Sequence, residues 1–165
     1  LIELSLVGVR VELPTNQPIV LLKERDGERF LPIWIGPVEA TAIAFALQGV
    51  VTQRPMTHDL LKTILDEVGV GVDQISITEL KEGTFYASIR MHRNGSSYEI
   101  SSRPSDAIAL AVRSGVPIYA AEDVLEEASI LIKEDDDEAA EGMGESEVAK
   151  FREFLEQVRP EDFQG

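Results

Sequence analysis

An acidic residue two places after a proline occurs twice in the chain, as Pro37-Val38-Glu39 and as Pro104-Ser105-Asp106, each time at the head of an alanine-rich stretch. Proline suits the first position of a helix, where its missing N–H is no loss, so both carboxylates fall in a first helical turn. There each has a structural duty, to satisfy free N–H groups and to complement the positive end of the helix dipole, at about 0.5–1 kcal/mol. If the two helix starts face each other, the pair also has a chemical use, as hard oxygen ligands that share Mg²⁺ or Mn²⁺ and activate water. His58-Asp59 heads a third helical stretch, where the dipole favours the acid and disfavours imidazolium. That leaves a neutral imidazole, either a general base or one more polar residue of an exposed first turn. Arg54 and Arg103 each precede a proline at a helix mouth, where a guanidinium can hold a phosphate beside free N–H groups or pair with a neighbouring acid.

The elements that must position these groups form an internal repeat. Val7, Val9, Val11 and Leu13 alternate with polar residues as in a half-buried strand. Residues 19–25 and 28–35 then flank Asp26-Gly27, which reads as a tight type I′ hairpin turn, and VEATAIAFALQG follows as a buried helix ended by glycine. The same grammar returns about 67 residues later, with strands over 74–80, 85–93 and 96–101, the turn Asn94-Gly95 and the helix SDAIALAVRSG. Between the halves, THDLLKTILDEVG predicts an inserted helix with Thr57 as N-cap and Leu60, Leu61, Ile64, Leu65 and Val68 on one face. Val116–Ala120 predicts a closing strand. The fold expected is α+β, a single mixed β-sheet domain of six or seven strands over residues 1–121, built from two duplicated β-hairpin-β-α halves. Residues 122–147 read as a short helix and an acidic linker, and 148–165 as a C-terminal amphipathic helix carrying Val148, Phe151, Leu155 and Val158.

The chain is long enough, at 165 residues, for one domain with a real core. With no cysteine, and with only His58 and His92 as imidazoles, disulfides, iron–sulfur clusters, thiol nucleophiles and a closed zinc site are excluded. The net charge of −15 is uneven: residues 1–121 carry −3 and residues 122–165 carry −12. The body is therefore close to neutral, and Lys23, Arg25, Arg29, Arg90, His92 and Arg93 gather at the two hairpin tips, where they could track a nucleic-acid backbone or simply be solvated. Trp34, Phe30, Phe85 and Tyr86 lie in strands and read as core. Dinucleotide-binding glycines, a phosphate loop, a paired-histidine zincin helix and a nucleophile elbow are all missing. No basic leader and no apolar run near the ~20 residues of a membrane span occur, so a cytoplasmic protein without a membrane partner is expected.

The strings LPIWIGPVEATAIA, RPMTHDLL, LKEGTFYA and SRPSDAIALAVRSGVPIYA, in this order and spacing, resemble the bifunctional nuclease domain family. The resemblance covers about residues 4–119, and FREFLEQVRPEDF near the end is similar to the C-terminal segment of actinobacterial members. It implies a compact α+β fold, commonly oligomeric, and nuclease activity on RNA and DNA as in plant members. Its motif positions are Glu39 in GPVEA, Arg54, His58 and Asp59 in RPMTHD, and Arg103, Ser105 and Asp106 in SRPSD. The function expected is a divalent-metal-dependent nuclease of low sequence specificity. Glu39, Asp59 and Asp106 would hold Mg²⁺ or Mn²⁺, His58, Asp59 and Asp106 would form the catalytic set, and Arg54, Arg103 and Ser105 would bind the substrate. The alternative is a non-catalytic regulatory protein whose acidic tail binds a protein partner. Either way a homo-oligomer is expected, because such a sheet leaves edge strands to be covered.

Overall fold

A computed structural model of the chain describes residues 1–12 and 15–132; the acidic linker over 134–147 and the helix expected over 148–165 lie outside the described residues. Eight strands form a single mixed sheet in the order β6-β5-β4-β7-β1-β2-β3-β8. Each repeat is an antiparallel three-stranded meander followed by a helix. The first contains β1 (Ile2–Glu12), β2 (Gln17–Glu24), β3 (Arg29–Trp34) and α1 (Pro37–Gln48). The second contains β4 (Gly71–Lys81), β5 (Thr84–Arg93), β6 (Ser96–Ser102) and α3 (Pro104–Ser114). Between the meanders lies β7 (Ile118–Ala120), antiparallel to β1 and parallel to β4. Strands β1 and β4 therefore run in opposite directions, as a pseudo-twofold through the sheet requires.

The inserted helix α2 (Thr57–Glu67) packs on α3, and α4 (Glu122–Ala128) leads from β7 to β8 (Ile130–Leu131) on the far edge of the first meander. Val124, Leu125 and Ala128 of α4 belong to the main core, so the packed body continues past residue 121 through β8. Strand β8 is the eighth strand that periodicity could not announce, since two residues carry no period. No described helix is long and apolar enough to cross a membrane.

One face of the sheet carries the core, with Val20, Leu22, Leu31, Ile33, Ile75, Ile77, Ala87 and Ile89 beneath the helices. Alanines 40, 42, 107, 109 and 111 are buried, and their short side chains let α1 and α3 pack closely on each other and on the strands. Both helices end at a left-handed glycine, Gly49 (φ 67°) and Gly115 (φ 66°). Asn94 (φ 50°) and Gly95 (φ 78°) supply the two positive φ angles of the expected turn. Asp26-Gly27 does not form one, because neither residue has a positive φ. The Glu24 carboxylate instead organises a wider connection by accepting from the Arg29 N–H (3.2 Å) and guanidinium (2.8 Å), and a Cβ on Gly27 would strike it.

Candidate functional site

The starts of α1, α2 and α3 meet at one place. Gly36 caps α1 and Arg103 caps α3 at equivalent positions of the repeat, both extended before a proline. That difference breaks the symmetry of the site. From its position Arg103 donates through Nε to Asp106 Oδ2 (2.8 Å) and through Nη2 to Glu39 Oε1 (2.9 Å), so a single guanidinium serves both repeat-related acids. Glu39 folds back over Gly36, where a Cβ would collide with its carboxylate.

His58, in the first turn of α2, places Nε2 2.9 Å from Asp106 Oδ1. A carboxylate can only accept, so Nε2 carries the proton in this contact. Burial pushes the Asp106 carboxyl up, but hydrogen bonds from Arg103 and His58 outweigh it and hold the group below the usual aspartate value. Asp106 in turn raises the Arg103 guanidinium. The result is a continuous chain His58–Asp106–Arg103–Glu39, with the imidazole buried at one end and Arg103 55% exposed.

Asp59 belongs to a second cluster. Its Oδ2 accepts from the Met56 N–H (3.0 Å) and its Oδ1 from Arg113 Nε (2.7 Å), and these two bonds hold its carboxyl low. Met56, not Thr57, is thus the N-cap of α2, and Asp59 reaches back to it as a capping box does. Arg113, only 8% exposed, also donates to the Ala109 carbonyl and to the Ala42 carbonyl, both 3.0 Å away. It joins all three helices. The sequence reading missed it, because a base in a last helical turn is already explained by the dipole; the available signal was a lone charge in the run AIALAVRSG.

Five of the predicted residues, Glu39, His58, Asp59, Arg103 and Asp106, are therefore neighbours. Arg54 is exposed in the loop before α2 without an ion pair to a described residue. Ser105 is buried, 1% exposed, in the first turn of α3. The residues present do not fit Mg²⁺ or Mn²⁺ in this arrangement. Asp59 and Asp106 have both oxygens engaged, Glu39 is neutralised by Arg103, and no three His, Cys, Asp or Glu side chains among the described residues are grouped to hold a metal ion. The basic tip of the first hairpin is likewise occupied: Arg25 pairs with Glu3 (2.6 Å), and Arg29 with Glu24 and with Glu122 (2.7 Å). In the second meander His92 sits 2.6 Å from Asp73.

The family model of the bifunctional nuclease domain matches residues 20–133. Over 164 residues, 99% of this chain and 98% of the relative, the sequence is 50% identical to a Mycobacterium tuberculosis protein described only as uncharacterized. It is 30% identical over 105 residues to bifunctional nuclease 1 of Arabidopsis thaliana, covering 61% of this chain and 32% of that one. It is 31% identical over 115 residues to bifunctional nuclease 2 of Oryza sativa subsp. japonica, covering 67% and 35%. The chain thus spans about a third of these plant relatives.

Proposed function

Because this chain belongs to the bifunctional nuclease domain family, we propose that it cleaves phosphodiester bonds of RNA and/or DNA, with low sequence specificity, where α1, α2 and α3 meet. The observation that carries the reading is the chain His58–Asp106–Arg103–Glu39. Nδ1 of His58 takes the proton of the attacking hydroxyl, whether water or a ribose 2′-OH, and Asp106 orients the ring and stabilises the imidazolium that results. Arg103 turns its exposed guanidinium to the phosphate, where charge grows as the phosphorus–oxygen bond to the leaving group breaks, and the leaving oxygen takes its proton from water. Arg54 is a second phosphate contact. Asp59, through Arg113, is a positioning residue that holds α2 and hence His58 in place. No step runs through a divalent cation, given how the carboxylates are engaged.

The test is cleavage of end-labelled single-stranded RNA and DNA by the full chain with Mg²⁺, with Mn²⁺ and with EDTA, beside His58→Ala, Asp106→Asn and Arg103→Ala. Cutting is expected to survive EDTA and to fall about 10²–10⁴-fold in His58→Ala with far-UV dichroism unchanged. Folded His58→Ala and Asp106→Asn proteins that cut at the parent rate would remove the assignment. Cutting confined to Mg²⁺ or Mn²⁺ would replace it with a metal site that forms once Arg103 has left its carboxylates. No cutting under any condition would leave the scaffold reading, with the acidic tail as the ligand of a protein partner.

A further inference from the structure

The core face of the sheet is alike in both repeats, and the opposite face is not. Strand register shows which residues point away from the core: Ile19 opposite Trp34, Leu21 opposite Pro32, and Lys23 opposite Phe30. Their counterparts in the second meander are Ser88 opposite Ser101, Arg90 opposite Glu99, and His92 opposite Ser97. One repeat thus has a polar outer face, on which Ser88 donates to Glu99 (2.6 Å). The other has an apolar one. Ile19, Leu21, Phe30 and Trp34 are buried, yet they stand outside the core cluster that the buried residues of α3 and α4 join. An apolar sheet face of this kind requires a covering layer.

We propose that this face is the seat of the chain's own C-terminal segment, residues 146–159, docked through Val148, Phe151, Leu155 and Val158. Their spacing of three, four and three residues places them on one side of a helix about 15 Å long, and six residues of β2 or β3 extend roughly 20 Å. The described chain ends at the right edge of the sheet, since β8 pairs with Arg29 and Phe30 of β3. Residues 133–147 then suffice to cross the two strands many times over, at about 3.3 Å each. Charge does not oppose the docking. Arg10, opposite Ile19, shares the face with Lys23, whose ammonium lies 5.2 Å from the Phe30 ring centre, and residues 146–159 balance Glu147, Glu153 and Glu156 with Lys150, Arg152 and Arg159. This inference is independent of the nuclease reading.

Trp34 is the sole tryptophan of the chain and lies on this face, so its fluorescence reads the docking directly. In the full-length protein its emission is expected to be blue-shifted and poorly quenched by acrylamide. Phe151→Asp with Leu155→Asp should shift the emission red and raise the quenching constant several-fold, while Gln157→Asp, on the opposite side of the segment's helical wheel, should change neither. If the double variant does not fold, the milder Phe151→Ser should raise quenching in part. Parent-like quenching in folded Phe151→Asp/Leu155→Asp or in Phe151→Ser overturns the proposal. Protection that disappears on dilution overturns it as well, by assigning the cover to a second copy.

Discussion

Arg103 and Arg113 stand at opposite ends of α3 and are used in opposite ways. Every donor group of Arg113 is engaged beneath the surface, two of them on backbone carbonyls, so its removal unties α1 and α2 from α3 and leaves one oxygen of Asp59 without its partner. Arg113→Ala is expected to destabilise the protein by about 2–3 kcal/mol in urea titrations, from the loss of buried charged hydrogen bonds. Arg103 is half in solvent, and Arg103→Ala should cost at most about 1 kcal/mol while depressing cleavage at least as strongly as Arg113→Ala does. Equal stability losses would contradict the division of labour. Glu39, His58, Asp59 and Asp106 were legible in the sequence because prolines, glycines and a repeat mark the helix starts on which they sit. Arg103 was legible as a partner for a neighbouring acid, but its reach to Glu39 and the pairing of Asp59 with Arg113 were not. A local pattern places an acid at a helix head but does not show which distant guanidinium arrives there, and for Asp59 that guanidinium comes from 54 residues away.

Among the elements, α2 departs furthest from its pattern. Its five apolar residues share one face as expected, yet only Leu65 packs against the core, and Leu60, Leu61, Ile64 and Val68 remain exposed. The pattern was sound as a helix signal and silent about its cover, because amphipathicity says that a face is apolar and not which surface it meets. An isologous contact between copies would cover this exposed apolar row. A concentration-dependent sedimentation coefficient is expected for the parent, shifting to the monomer value in Leu60→Lys/Ile64→Lys. A parent that sediments as a monomer at every concentration excludes that contact. The hairpins teach the converse lesson: Asn94-Gly95 turned as the dipeptide dictates, whereas at Asp26-Gly27 the Glu24 carboxylate set the geometry.

Across the whole molecule, three ion-pair groups lace the elements together. Glu24–Arg29–Glu122 ties the first hairpin to α4, Asp59–Arg113 ties α2 to α3, and Glu39–Arg103–Asp106 ties α1 to α3. Hydrogen bonds from arginine hold Glu24, Asp59 and Glu122 below their ordinary values, and Arg103 with His58 does so for Asp106 against burial. A carboxyl lowered in the folded state contributes stability above its unfolded pKa, and that contribution is lost as pH falls through the folded value. The thermal midpoint should therefore be nearly flat above about pH 5 and fall below about pH 4, with a shallower fall in Glu24→Gln; a midpoint that rises on acidification would refute this. Strand β7 has a consequence for descent. It fills the slot on the pseudo-axis, where a dimer of identical halves would bring two such strands to a place that admits one. The fused chain escapes that conflict by treating its two helices differently: α3 is followed by β7, and α1 by the excursion that delivers His58. Duplication gave two scaffolds, but only their divergence after the helices leaves room for a single asymmetric cluster at the helix starts.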